Sequence, residues 1–159
     1  MLVLRRFSDE KGTSLVEFAL IAPVLMLVLF GLLDFGKALN YWNNDTHLAA
    51  EGARWAVVNT DPGSGTLQQY IQQQVDSAGD TAAPPPVVCI AFPTNPATGT
   101  SGQVGDPVTV TVKRTYNWIP FVRSRIGRVS TVIPGSATMR LEATPTNYTT
   151  GSGGTGVCT

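Results

Sequence analysis

The residue that first needs a chemical explanation is Glu17. It is the only charged side chain between Leu15 and Leu33, in the run LVEFALIAPVLMLVLFGLL. As a helix rising about 1.5 Å per residue, that run reaches about 28 Å, close to the hydrocarbon thickness of a bilayer. There an unpaired carboxylate costs on the order of several kcal/mol, so Glu17 needs either a partner or a short route to the headgroups. Five residues upstream, Gly12 is a small residue just before the apolar run. A cut there leaves the helix on the mature chain, whereas the DFGKALNYW that follows the run offers no small-residue secretory cleavage site.

The other chemically suggestive residues are few. Cys89 and Cys158 lie far apart with no CxxC, and His47 is the only histidine, so no zinc site or other metal centre is expected. A Cys89–Cys158 disulfide is the better reading if the chain beyond the helix lies outside the cytoplasm. It would close a loop of about seventy residues, worth roughly 2–4 kcal/mol. The chain contains no G-x-S-x-G, P-loop or H-E-x-x-H pattern, so neither enzymatic activity nor a cofactor is expected. Charged residues make up 14% of the chain and the formal net charge is zero. That balance lacks the basic footprint needed to hold a phosphate backbone, so nucleic acid is not an expected partner.

The elements that position these residues begin with a short leader, residues 1–12. Arg5, Arg6 and Lys11 precede the apolar run, which places the N-terminus in the cytoplasm and the rest of the chain outside. A glycine after a short basic leader, followed by Thr13, Glu17, Phe18 and a long apolar stretch, resembles the processing site of type IV pilin-like precursors. The fuller run from Gly12 to about Val58 resembles the TadE-like pseudopilins of the tight-adherence (Flp) pilus, as does PGSATMRLE after an alternating VTVTV strand.

The resemblance implies that a prepilin peptidase cuts between Gly12 and Thr13. It further implies that Glu17 and Phe18 align the subunit with its neighbours, and that other pilin and pseudopilin subunits, an inner-membrane assembly platform and the bilayer are partners. Cleavage would put a protonated amine on Thr13, one helical turn from Glu17.

A single long helix is expected over 13–59, with the membrane span at about 15–34. Pro23 removes one backbone hydrogen bond inside it and is expected to kink it. Beyond Leu33, Phe35, Leu39, Trp42, Thr46, Ala49, Ala53 and Ala56 recur at steps of three and four, predicting one apolar face. Lys37, Asn43, Asn44, Glu51 and Arg54 lie on the opposite face.

Residues 60–159 read as an extracytoplasmic α+β domain ending in a linker-like, disordered-like tail from Thr144. Thr66 and Gln69 form a capping-box pattern that opens a second helix to about Ala78. Leu67, Tyr70, Ile71 and Val75 share its inner face, and its glutamines are expected to be solvated. Strands are expected at 87–92, 108–118 and about 129–142, the second with Val108, Val110 and Val112 inward and the third with a bulge or edge position at Pro134 and Gly135. The loop between the first two strands reads as a mobile segment or contact tip. The connection 119–128, with Ile119, Phe121 and Val122 beside arginines, reads as a docking loop or a fold-back over the core.

The expected architecture is a long membrane-spanning helix continuing into a small domain with a short helix and a roughly three-stranded antiparallel sheet. The expected function is that of a minor pilin-like subunit in the bacterial inner membrane, passing into the surface pilus after processing. A single-pass anchor with an uncleaved leader and an outer binding or sensor module is the competing reading.

Overall fold

The computed structural model describes residues 10–63, 65–77, 85–118, 129–148 and 151–152. Two compact units are distinguished, Met1–Gly36 and Lys37–Thr159, and the helix α1, Glu10–Val57, runs through the boundary between them. The helix begins ahead of the expected start at Thr13, so Gly12 lies in its first turn. It continues through Pro23, whose missing N–H leaves the Ala19 carbonyl without its helical donor.

The second unit adds α2 (Leu67–Ser77) and the strands β1 (Val87–Ala91), β2 (Pro107–Asn117), β3 (Ser130–Arg140) and β4 (Gly151–Ser152). The sheet is antiparallel in the order β3-β2-β1-β4. This is the expected α+β arrangement with its three-stranded antiparallel sheet, extended by a two-residue fourth strand. The capping box forms as the sequence predicts. The Gln69 N–H donates to Thr66 Oγ1 at 3.3 Å, and the Thr66 N–H donates to Gln69 Oε1 at 3.1 Å.

Strict alternation along β2 puts Val108, Val110 and Val112 on one face, where they are fully buried with Val88 and Ile90 of β1. That face packs on Ala49, Ala53 and Ala56 of α1 and on Leu67, Ile71 and Val75 of α2. Small residues on α1 make the approach possible. A Cβ at Gly52 would run into Ile71 Cδ1 and lie 3.2 Å from Val110 Cγ1. Gly135 of β3 is pressed against α1 itself, because a Cβ there would collide with the backbone of Asp45 and Thr46.

Several expectations are corrected by this packing. The buried residues of α1 in the second unit are Ala38, Asp45, Leu48, Ala49, Gly52, Ala53, Ala56 and Val57, whereas Leu39 and Trp42 face outward. Within this set Asp45 meets Arg114 of the inner sheet face as a buried ion pair. Pro134 and Gly135 pair in continuous register with Lys113 and Val112, so they mark an edge strand and not a bulge. The glutamines of α2 are not all solvated. Gln68 is buried, Gln72 donates to the Pro86 carbonyl at 2.9 Å and Gln74 to Glu51 Oε1 at 3.2 Å. The connection 119–128 lies outside the described residues.

Candidate functional site

Within the first unit, α1 displays its apolar side chains to the outside on every face. From Leu15 to Leu33 the exposed large hydrophobic residues are 44–73% accessible, and the most apolar window, with mean hydropathy 2.5, has none of its residues buried. A soluble helix with no covered face would forfeit the transfer free energy of all these side chains, about 1.5–3 kcal/mol each. By length and composition the helix can cross a bilayer, and it is compatible with a single-pass membrane anchor.

Gly12, Thr13, Glu17, Phe18 and Pro23 all lie on this stretch of α1. Gly12, Glu17 and Phe18 are exposed, Phe18 by 67%. The spacing of Thr13 and Glu17 puts them one turn apart on the same side of the helix.

In the second unit the polar residues serve to fasten the helix to the sheet. Arg114 Nη2 donates to Asp45 Oδ1 at 2.7 Å, with both side chains buried. The guanidinium stands 4.6 Å from the centre of the Tyr41 ring, and Tyr41 lies 5.4 Å from Tyr116. Asp45 Oδ2 and Arg114 Nε have no hydrogen-bond partner among the described residues. Burial pushes the Asp45 carboxyl up to about 6, against the pull of the Arg114 charge and its hydrogen bond. Sequence patterning contained a signal for this pair, since Arg114 shares the parity of Val108, Val110 and Val112, and Asp45 stands four residues before Ala49.

The end of α1 is closed by a distant part of the chain. Asn59 adopts a left-handed conformation, φ 52°, and the Asn59 and Thr60 N–H groups return to the Ala56 and Trp55 carbonyls, a Schellman closure with Asn in place of Gly. The Thr146 and Asn147 N–H groups donate to Asn59 Oδ1 at 3.1 and 3.0 Å, and Asn147 Nδ2 donates to the Asn59 carbonyl at 2.9 Å. The Val57 carbonyl accepts from the Glu142 and Ala143 N–H groups. The Tyr148 hydroxyl lies within hydrogen-bonding reach of the Trp55 carbonyl, at 2.9 Å, and of the Thr60 carbonyl. Burial, with the Asp61 charge adding to it, pushes that hydroxyl up to about 12.

The loop between β1 and β2, expected to be a mobile segment or contact tip, is organised around one carboxylate. Asp106 Oδ1 accepts from Asn95 Nδ2 at 3.0 Å, Thr100 Oγ1 at 3.0 Å and Thr98 Oγ1 at 3.3 Å, while Oδ2 accepts from the Gln103 N–H at 3.0 Å. Desolvation acts to raise the Asp106 carboxyl, but these hydrogen bonds outweigh it and hold the group below the usual carboxylate range.

Among the described residues no group of three or more His, Cys, Asp or Glu could hold a metal ion. Cys89 is not a free cysteine. Cys89 is buried on β1, and its expected partner Cys158 lies outside the described residues. His47 is exposed on α1.

A family model described as TadE-like protein matches residues 12–54 of this chain. No curated protein and no solved structure matches it.

Proposed function

We propose that a chain whose residues 12–54 are TadE-like works as a minor pilin-like subunit of a tight-adherence pilus, cut by a prepilin peptidase between Gly12 and Thr13. The observation that carries the proposal is the coincidence of three features on one helix. The family match opens at Gly12, the apolar side chains beyond it are exposed on all sides, and Glu17 is the single charge among them.

Cleavage at Gly12 supplies what the carboxylate lacks. The new Thr13 amine is positively charged at neutral pH and lies one turn from Glu17, available to its own carboxylate or to that of an adjacent subunit. In hydrocarbon an unpaired carboxylate is strongly disfavoured, so pairing Glu17 with the amine of a neighbour draws two helices together at one axial stagger. Phe18 and the apolar residues around it supply the contact surface. Pro23 loosens the helix one turn further on and eases withdrawal of the subunit from the bilayer.

In this reading the basic leader keeps the N-terminus cytoplasmic, and the α+β domain stands outside the inner membrane. Its partners are the peptidase, other pilin subunits and the assembly platform. The domain has no enzymatic task.

Mass spectrometry of the protein extracted from membranes tests the proposal. A mature chain beginning at Thr13, its formation abolished by Gly12→Val, is expected. A mature chain that still begins at Met1 would return the protein to the class of tethered binding or sensor modules. Replacing Glu17 by Gln is expected to leave processing intact and to abolish pilus assembly.

A further inference from the structure

We infer that the second unit holds a docking site for an extended polypeptide segment, which adds as a short strand to the free edge of β3 and brings an apolar side chain and a carboxylate to the cavity beside Arg140. The inference concerns the second unit alone and stands or falls apart from processing at Gly12.

β3 is the outermost strand of the sheet, and its far edge pairs with no strand among the described residues. The register decides which groups that edge presents. The Trp118 N–H donates to the Val129 carbonyl and the Leu141 N–H to the Asp106 carbonyl, at 2.9 Å each. Both pairs continue the ladder that joins β2 to β3, and bonded pairs alternate along an antiparallel ladder. Odd-numbered residues of β3 therefore bond to β2, while Ser130, Val132, Pro134, Ser136, Thr138 and Arg140 turn their backbone groups to the free edge. All six are exposed. Pro134 has no N–H to offer, and its ring keeps another backbone from approaching. What stays open is the half from Ser136 to Arg140.

That half borders a cavity of about 480 Å³, whose lining includes Pro96, Ala97, Pro107, Thr138, Met139 and Arg140. Thr138 and Arg140 thus belong to the edge and to the cavity together. The loop wall of the cavity is set in advance, because Asp106 Oδ1 holds Asn95 and Thr98 on either side of Pro96 and Ala97. The Ala97 N–H also donates to Asn95 Oδ1 at 3.1 Å. A ligand meeting a wall already fixed loses less affinity to ordering it.

Charge identifies the occupant. Arg140 is exposed and donates from Nη1 to the Gly105 carbonyl at 3.2 Å. Among the described residues no carboxylate forms a salt bridge with it. Asp106 has both oxygens taken up by its own loop. A guanidinium with donors to spare suits a carboxylate. Strand addition takes its affinity from main-chain hydrogen bonds and its selectivity from pockets for alternate side chains, so the occupant is an extended segment with an apolar residue close to an aspartate or glutamate.

The probe is a set of blocked, fluorescein-labelled hexapeptides of alternating threonine and valine, with one glutamate placed at each position in turn. Each is titrated with the full chain in detergent, and binding is followed by fluorescence anisotropy. Saturable binding is expected for at least one member, weakened about ten-fold when glutamine replaces its glutamate and to a similar extent by Arg140→Gln. The change in the peptide carries the test should the variant fail to fold. N-methylation of alternate peptide residues should abolish binding in one phase and spare it in the other, because only every second N–H of an added strand faces β3. Amide exchange at Ser136, Thr138 and Arg140 should slow about ten-fold or more with peptide, while Ala137 and Met139, already bonded to β2, stay unchanged.

Absence of binding by every peptide, identical behaviour of the two N-methylated series, or binding indifferent to the glutamate would overturn the inference. So would protection of the same amides that appears without peptide as protein concentration rises, which would assign the edge to a second copy of this chain.

Discussion

The two stretches of α1 are both apolar, and they differ in what their apolar residues are for. Between Leu15 and Leu33 the side chains are large and exposed all round, whereas between Ala49 and Val57 those facing the sheet are small and buried. Large side chains on every face suit a solvent of hydrocarbon. Alanine and glycine on one face suit a sheet that must approach the helix backbone. Glycine illustrates the contrast within one residue type, since a Cβ at Gly31 or Gly36 meets nothing within 4 Å, while Gly52 and Gly135 have no room for one.

The sharpest way to break that comparison is Gly135→Val. The added side chain would meet backbone at Asp45 and Thr46, which cannot move aside, so the second unit should lose about 3 kcal/mol or more of stability, or fail to fold. Chemical unfolding in detergent, followed by Trp55 emission, measures this. Gly31→Ala should leave the same transition within about 0.5 kcal/mol.

Removing one partner of the buried pair comes next. Arg114→Met strands the Asp45 carboxylate and should cost about 3–5 kcal/mol, whereas the double change with Asp45→Leu should recover a large part of that loss. A double-mutant cycle on the same unfolding transition gives the coupling.

Tyr148→Phe removes one hydroxyl from the Trp55 and Thr60 carbonyls and should cost about 1–2 kcal/mol. A tyrosine whose folded value is raised to about 12 from the ordinary 10 contributes stability that is complete below pH 10. That contribution is lost as pH rises through 12. The variant should lack this alkaline loss.

The two buried aspartates give the finest test, because their pH dependences have opposite signs. Asp106 is held below its ordinary 3.8, so its contribution is present above that value and is lost as pH falls through the folded one. Asp45, raised to about 6, binds its proton more tightly in the fold, so its contribution is greatest below 3.8 and declines as pH rises through 6. Asp106→Asn should flatten the acid limb of a stability–pH profile, and Asp45→Asn the slope between about pH 4 and 6. Amide hydrogen exchange at residues 95–106 should report the first change alone.

Much of this molecule was legible in local pattern. The length and apolarity of the run after Gly12, the capping box at Thr66 and Gln69, and the two-residue period of β2 each depend on neighbours within a turn or a few residues along the chain. Pattern alone therefore placed the helices, the strands β1 to β3 and the inward valines, but not the two-residue β4.

Tertiary structure decided the rest. The partner of Asp45, buried on α1, is Arg114, 69 residues away along the chain. Whether a Gly/Pro-rich loop is loose or knotted depends on where Asp106 aims its oxygens, and the C-terminus of α1 is closed by Asn147, 88 residues from Asn59. Periodicity reports the polarity of a position and says nothing about which distant partner will satisfy a buried polar group. The desolvation cost of leaving that group unpaired is what selects the partner once the chain has collapsed.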